Sequence, residues 1–362
     1  MRPRLIGDVV FTTPLVRGLK RLHPDAHLAY LVEPAAAPVL QRNPQIDDLI
    51  IVPKRRGLGR IADDLRIAAR LRRSRFDVAI DLHGGPRSAW FTWASGAPTR
   101  IGYRIRGRSW MYTRIVERPD DLLPRHSVEN QWDLLEPLGA GAADRARDPV
   151  EMIEDADAAR AVDARLRAAG IGSEHPLIVL HVSAGNAFRR WPRESFEELV
   201  VTLASRDPRR RILLTSGPSD RAAAGEIAAT TRRRVPSSDS IPVIDDWSLA
   251  ELRALIARAA VYIGGDSGPM HVAATTGTPI VELLGPTLPE RSMPWRDPRW
   301  FVETIDAGPL PCRPCRQRRC EPGDFRCLTR ITAARVAEAA ERALSADRSH
   351  AGGHYRAAGV AG

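Results

Sequence analysis

The apolar run Ala259-Ala260-Val261-Tyr262-Ile263 passes directly into Gly264-Gly265-Asp266-Ser267-Gly268-Pro269-Met270-His271. No other stretch constrains the fold of this chain as strongly. An unbroken apolar run of this length, without alternation, reads as a strand buried on both faces, as in a parallel sheet. Small residues at the end of such a strand let a backbone approach a ligand closely. A helix starting near Pro269 would aim its unpaired N–H groups at an anion. Strand, small-residue turn and helix start together form the geometry that holds a phosphate. The alternative is a plain strand-to-helix turn. Asp266 and His271 are more than a phosphate turn alone requires.

The rest of the chain repeats this alternation. In the first half, strands are expected at residues 26–32, 48–52 and 76–82, and helices at 13–22 and 61–72. An Ala- and Arg-rich helix over 156–169, ending at Gly170, is placed as a linker. A second series follows, with strands at 177–182, 211–216, 241–244, 260–264 and 279–284. Its helices are expected at 193–205, 221–230, 248–258 and 271–276, and a last helix at 333–344. Alternating elements predict α/β architecture with parallel sheets and crossover helices. The expected division is an N-terminal Rossmann-like domain at 1–155, a linker helix at 156–172 and a C-terminal Rossmann-like domain at 173–330. A C-terminal helix at 331–345 and a disordered tail at 346–362 complete it. Ligands bind at the carboxyl ends of strands in such sheets, which here face a cleft between the domains. A sheet of this type should open with a strand before Ile6-Gly7-Asp8. Only Met1–Leu5 precede that turn, and Arg2, Pro3 and Arg4 are poor strand formers. Either the first strand is very short or the natural start lies upstream, which a mass spectrum of the native protein distinguishes.

The 362 residues carry a net charge of +10, and Lys20 and Lys54 are the only lysines among 54 basic residues. Excess positive charge favours an anionic partner: a nucleotide, a nucleic acid or an acidic membrane surface. No apolar run is long enough to span a bilayer and no signal peptide is legible, so a cytoplasmic location is the default.

Three further constellations sit at expected strand ends. In Gly7-Asp8-Val9-Val10-Phe11-Thr12-Thr13-Pro14, Gly7 permits a tight turn. Asp8 either caps a helix start or faces the cleft as a base for a hydroxyl acceptor. In His181-Val182-Ser183-Ala184-Gly185-Asn186, Ser183 and the backbone near Gly185 suit a phosphate. Arg189 and Arg190 would neutralise a departing diphosphate, or form a solvated basic loop with Trp191 packed behind it. In Thr215-Ser216-Gly217-Pro218-Ser219-Asp220, Asp220 suits a ribose hydroxyl and equally suits a helix N-cap.

These pieces, in this order, resemble glycosyltransferase family 9, the ADP-heptose:lipopolysaccharide heptosyltransferases. The resemblance runs from about residue 5 to residue 344. It is carried by Gly7-Asp8-Val9-Val10, Ile80-Asp81-Leu82-His83-Gly84 with Arg87-Ser88, Arg100-Ile101-Gly102-Tyr103, Arg189-Arg190-Trp191-Pro192, Gly217–Arg221 and Gly265–His271. It implies a GT-B fold, with the acceptor on the first domain and the nucleotide sugar on the second. It also implies inverting transfer that needs no metal and no cofactor. Asp8 corresponds to the general base. Arg189 stands where the family commonly has Lys, keeping the charge but changing its shape. Donor contacts are expected from Ser183, Gly185, Arg190, Ser216, Gly217, Asp220, Asp266, Ser267, Gly268, Pro269 and His271. The implied donor is an ADP-sugar, ADP-heptose first, and the implied acceptor an anionic lipid-linked glycan reached by peripheral contact with the inner membrane surface. A transferase using another nucleotide sugar, and a non-catalytic nucleotide-sugar or nucleic-acid binding protein of the same fold, are the competing readings. No nucleic-acid module is legible.

The segment 100–114 sets Arg100, Arg104, Arg106, Arg108 and Arg114 among Tyr103, Trp110 and Tyr112. It suits a phosphorylated or otherwise anionic lipid core, or is a solvated loop. Acceptor contacts are expected from His83, Arg87, Arg104 and Arg106. All four cysteines fall in Cys312-x2-Cys315-x4-Cys320-x6-Cys327. This is not the spacing of two separated Cys-x2-Cys pairs, so reduced, locally packed thiols stand beside structural zinc as readings.

Overall fold

The computed structural model describes residues 1, 5–120, 122–183, 186–235 and 237–346. Ten strands are present among them: β1 (Ala29–Val32), β2 (Asp48–Ile51), β3 (Val78–Ile80), β4 (Thr99–Tyr103), β5 (Arg114–Val116), β6 (Leu177–His181), β7 (Arg211–Thr215), β8 (Val261–Gly265), β9 (Ile280–Leu284) and β10 (Val302–Asp306). Every pairing is parallel.

The second half builds one five-stranded sheet in the order β10-β9-β8-β6-β7. Each residue of β6, β8 and β9 is buried, which is why these strands are near-continuous apolar runs in the sequence. The strand order reverses at β6, whose neighbours are β7 on one side and β8 on the other. Opposite turns of the chain leave a crevice at such a switch point, beyond the carboxyl ends of the strands. His181 pairs with Gly264 in register, so Ser183 and Asp266 emerge side by side at that crevice.

The first half divides into two smaller sheets, β1-β2 and β3-β4-β5. Met1 lies between them: its amino group donates to Ile80 O at 2.7 Å, and Leu82 N donates to Met1 O at 3.1 Å. It also packs on the cluster of Leu31, Ile50 and Phe91. Arg2, Pro3 and Arg4 lie outside the described residues.

The two halves share a core. Val9, Val10 and Phe11 from helix Ile6–Val10 and its C-cap join Met270, Val272 and Ala273 from helix Gly268–Ala273 in one buried cluster. Helix Ala156–Ala168, placed as a linker, contributes Ala159, Val162 and Leu166 to the same cluster, and Gly170 follows it with φ +70°. Helix Ala333–Ser345, N-capped by Thr332, buries Ala333, Ala337, Ala339, Ala340 and Ala343 against the second sheet. Residues 347–362, expected as a tail, lie outside the described residues.

One expected strand does not form. Residues 241–244 run as an irregular loop after a turn at Ser238–Ser240. Pro242 has no N–H for a ladder, and Val243 is 62% exposed beside fully buried Ile241, so the segment has no consistent inward face. The helix expected at 271–276 begins three residues earlier, because Ser267 takes the N-cap position and Pro269 fits the first turn. Among the described residues no helix is long and apolar enough to cross a membrane.

Candidate functional site

The crevice is organised around Asp266, which follows β8 directly and is 4% exposed. Arg189 Nη1 lies 2.9 Å from its Oδ2 and His271 Nε2 lies 3.6 Å from its Oδ1. Burial alone would push the Asp266 carboxyl up. The His271 contact and the Arg189 charge outweigh it and hold the group below the usual carboxylate range. Ser267 Oγ and His271 Nδ1 are buried with no hydrogen-bond partner among the described residues. Buried polar atoms left unpaired are costly, so both are candidates for contact with a ligand.

The helix carrying Asp8 is pressed onto this loop. A Cβ placed on Gly7 would sit 2.5 Å from His271 Cδ2, and one placed on Gly268 would sit 3.3 Å from Ile6 Cβ. No side chain fits between these two helices, so glycine at both positions is what permits the approach. Asp8, half-buried, is therefore held one residue from the His271 contact. A row of rings continues the contact across the halves. His271 lies on Phe11 at 4.2 Å, Phe11 meets His126 at 5.2 Å, and His126 meets Trp295 at 4.7 Å. Burial pushes the His126 imidazole down to about 3. The neutral ring accepts from Val128 N at Nδ1, leaving Nε2–H for Met293 O at 2.9 Å. This ring-lined seam was not legible in the sequence, since its members are spread over 285 residues (11 to 295).

A second knot lies at the ends of β6 and β7. Asp220 is buried and accepts from Ser183 Oγ and from Ser219 Oγ at 3.0 Å, and pairs with Arg190 Nη2 at 3.0 Å. Its side chain does not cap helix Arg221–Arg232, so of its two sequence readings the cap is not realised. Gly217 closes over Ser183, whose Oγ is 3.3 Å from where a Cβ would be. Trp191 is packed behind the loop, edge-on to Phe196 at 4.9 Å, with its Nε1 donating to Ile331 O. Ser216 opens onto a cavity of about 420 Å³, lined also by Pro218, Val243, Ile244 and Trp247. Val243 and Ile244 belong to the segment whose expected strand is absent. Their irregular path is what leaves the cavity open. Gly185, expected at the donor site, lies outside the described residues.

The cysteine segment reaches the same crevice. Gln317 Oε1 accepts from Arg189 Nε and from Asn186 Nδ2, both at 2.8 Å. It thus fixes the guanidinium that pairs with Asp266, and its signal in the sequence was hidden among the cysteines and arginines around it. The four cysteines are free and half-buried. Burial, then the other three sulfurs, pushes the Cys327 thiol up to about 11. Among the described residues, no group of three or more His, Cys, Asp or Glu side chains is arranged to hold a metal ion.

Of the four expected acceptor residues, only His83 touches the buried carboxylate of Asp81, and it does so through its backbone N–H. Asp81 accepts from His83 N, Gly84 N, Ser88 Oγ and Tyr112 Oη at 2.7–3.1 Å, fixing the loop after β3. Gly84 abuts the Ile105 side chain, so the loop that carries His83 lies against the segment between Arg104 and Arg106. Arg87 is already engaged, by Asp64 and by Pro53 O at 3.3 Å, and Arg104 pairs with Glu117.

The model of glycosyltransferase family 9 (heptosyltransferase) matches residues 65–324. Lipopolysaccharide heptosyltransferase 3 of Escherichia coli K12 is 29% identical over 303 residues, covering 81% of this chain and 84% of that protein. The crystal structure of the family 9 glycosyl transferase from Veillonella parvula superposes with a TM-score of 0.81 at 23% identity, covering 94% of this chain and 95% of the other. The structure of E. coli ADP-heptose lps heptosyltransferase II gives 0.72 at 22% identity, covering 95% and 97%. The fold is accordingly the GT-B arrangement of two Rossmann-like halves. This chain belongs to glycosyltransferase family 9, the heptosyltransferases, and is a glycosyltransferase.

Proposed function

We propose that this enzyme moves a heptose, or a closely related sugar, from an ADP-sugar to a hydroxyl of an anionic, lipid-linked glycan of the lipopolysaccharide-core type. The donor occupies the half formed by residues 173–330, and the acceptor docks on the half up to about residue 155. Transfer is inverting and proceeds without a metal. Asp8 takes the proton from the acceptor hydroxyl, whose oxygen attacks the anomeric carbon. The bond from that carbon to the phosphate oxygen breaks on the opposite side, and ADP departs with the electron pair. Arg189, steadied by Gln317, meets the charge on the leaving diphosphate together with the start of helix Gly268–Ala273. Asp266 holds sugar hydroxyls, and the cavity beside Ser216 and Trp247 takes the adenosine. His83, Arg87, Arg104 and Arg106 line the acceptor side. The reaction takes place at the cytoplasmic face of the inner membrane, where such an acceptor is displayed.

The observation that carries this reading is the packing of the Asp8 helix on the Asp266–His271 loop. Gly7, the neighbour of Asp8 in one half, abuts His271 of the other, which supports a base on the first half acting on a donor held by the second. ADP-heptose is favoured because a structural relative bears that donor in its name. In the test, Asp8→Ala abolishes transfer while calorimetric binding of the ADP-sugar stays near wild type. Wild-type turnover in that variant would overturn the assignment of the base. Tighter binding of a UDP- or GDP-sugar than of ADP-heptose would overturn the donor.

A further inference from the structure

Helix Gly57–Arg73 carries two apolar faces, and only one of them is used. Asp63, Ile67 and Leu71 are its buried residues, and the two apolar ones join the cluster of Leu31, Ile50, Val52 and Phe91. At 100° per residue, Leu58, Ile61 and Leu65 fall within an arc of about 60° on the opposite side. They are 84%, 56% and 57% exposed. An outward leucine-isoleucine stripe on a helix already anchored by its inner face contributes nothing to the fold.

The charge around the stripe is one-sided. Residues 54–75 contain nine Lys or Arg and two Asp, a net +7. Both aspartates turn inward: Asp63 is 5% exposed and pairs with Arg55 at 3.4 Å and with Arg66, and Asp64 pairs with Arg60 at 3.6 Å and with Arg87. Solvent therefore meets apolar side chains ringed by arginines. The neighbouring helix, Pro86–Ala94, runs alongside, tied by Arg87 to Asp64 and by Arg72 packing over Gly96. It presents Trp93, 45% exposed, edge-on to Trp110, 63% exposed, with ring centroids 5.9 Å apart.

We infer that helix Gly57–Arg73 is an interfacial helix that lays Leu58, Ile61 and Leu65 into an anionic phospholipid bilayer, with its arginines on the headgroups. Apolar stripe, basic surround and exposed tryptophans are the combination that binds such an interface. A protein partner fits less well. The three side chains expose on the order of 350 Å², against about 800 Å² per partner in a stable interface, and interface centres are depleted of charge. The inference rests on the reading that the acceptor is lipid-linked, and it supplies what that reading lacks: the element that holds the enzyme at the lipid surface.

The test is sedimentation of the full chain with vesicles of phosphatidylethanolamine and phosphatidylglycerol (3:1), beside vesicles of phosphatidylcholine alone. Wild type should partition at least tenfold better onto the anionic vesicles. The triple variant Leu58→Ser/Ile61→Ser/Leu65→Ser should lose at least tenfold of that binding, and Lys54→Ala/Arg56→Ala about fivefold per charge removed. All three sites are exposed, so thermal unfolding of the variants should match wild type. Transfer to detergent-dispersed acceptor should also stay unchanged, while transfer to acceptor in vesicles falls with binding. Equal binding of wild type to both vesicle types overturns the inference, as does undiminished binding of the triple variant. So does a wild-type dimer that the triple variant converts to monomer. Failure of transfer to every acceptor with vesicle binding intact would overturn the proposed reaction and leave the docking helix standing.

Discussion

Replacing Gly7 by alanine tests the central contact of the site. The position is helical, and there alanine is favoured over glycine by about 1 kcal/mol. The new methyl group, however, would lie 2.5 Å from His271 Cδ2, where ordinary contact begins at 3.4 Å. The imidazole must therefore retreat by about 0.9 Å. It has little room to do so, being held on the Phe11 ring at 4.2 Å and beside Asp266 at 3.6 Å. Overpacking of this kind costs about 1–3 kcal/mol, so the net change in stability is a loss of about 0–2 kcal/mol. The functional loss is larger. A shift of about 1 Å in a positioning group costs up to a hundredfold, and kcat/KM for the ADP-sugar should fall ten- to a hundredfold. Urea unfolding of wild type, Gly7→Ala, His271→Ala and the double variant isolates the cause. With the ring gone the methyl group has space, and in the His271→Ala background Gly7→Ala should be neutral or stabilising. Gly7→Ala with donor kinetics within twofold of wild type would refute the claim that the two halves meet in a working site here. So would additive effects in this double-mutant cycle.

Two other perturbations address the groups beneath the site. Gln317→Ala removes the acceptor that steadies Arg189 Nε, and a lost hydrogen bond to a charged group predicts about a tenfold fall in kcat with acceptor KM unchanged; unchanged kcat in steady-state assays would sink this positioning role. Glu282, fully buried on β9 and partnered by Thr304 Oγ1 at 3.2 Å, is pushed well above its ordinary 4.5 first by burial and then by the Asp266 charge. The native state thus keeps a proton that the unfolded chain gives up above pH 4.5. This stability is fully present below 4.5 and is lost as pH rises towards the native value, by about 1.4 kcal/mol per unit. Glu282→Gln removes that loss. Chemical denaturation between pH 5 and 7 should show the variant gaining on wild type as pH rises, and parallel curves would refute it.

Much of the second half was legible because its strands are buried on both faces. Burial of that kind demands unbroken apolar runs, and β6, β8 and β9 were found within a residue or two on that signal alone. The turn after β8 and the segments around Arg189 and Asp220 could be read as strand-end polar clusters for the same reason. The strands β4, β5 and β10 carried no such signal, being short, half-exposed or interrupted by arginine and glycine. The segment 241–244 misled, because an apolar run of four does not reveal whether a partner strand waits for it. Sequence alone determined the fold class and marked the polar clusters at the carboxyl ends of β6, β7 and β8. Tertiary structure alone decided that Gly7 meets His271, that Gln317 braces Arg189, and that helix Gly57–Arg73 turns a leucine stripe outward. Each of these depends on distances between segments far apart in the chain, which are set by how the halves pack, and periodicity within one segment carries no record of them.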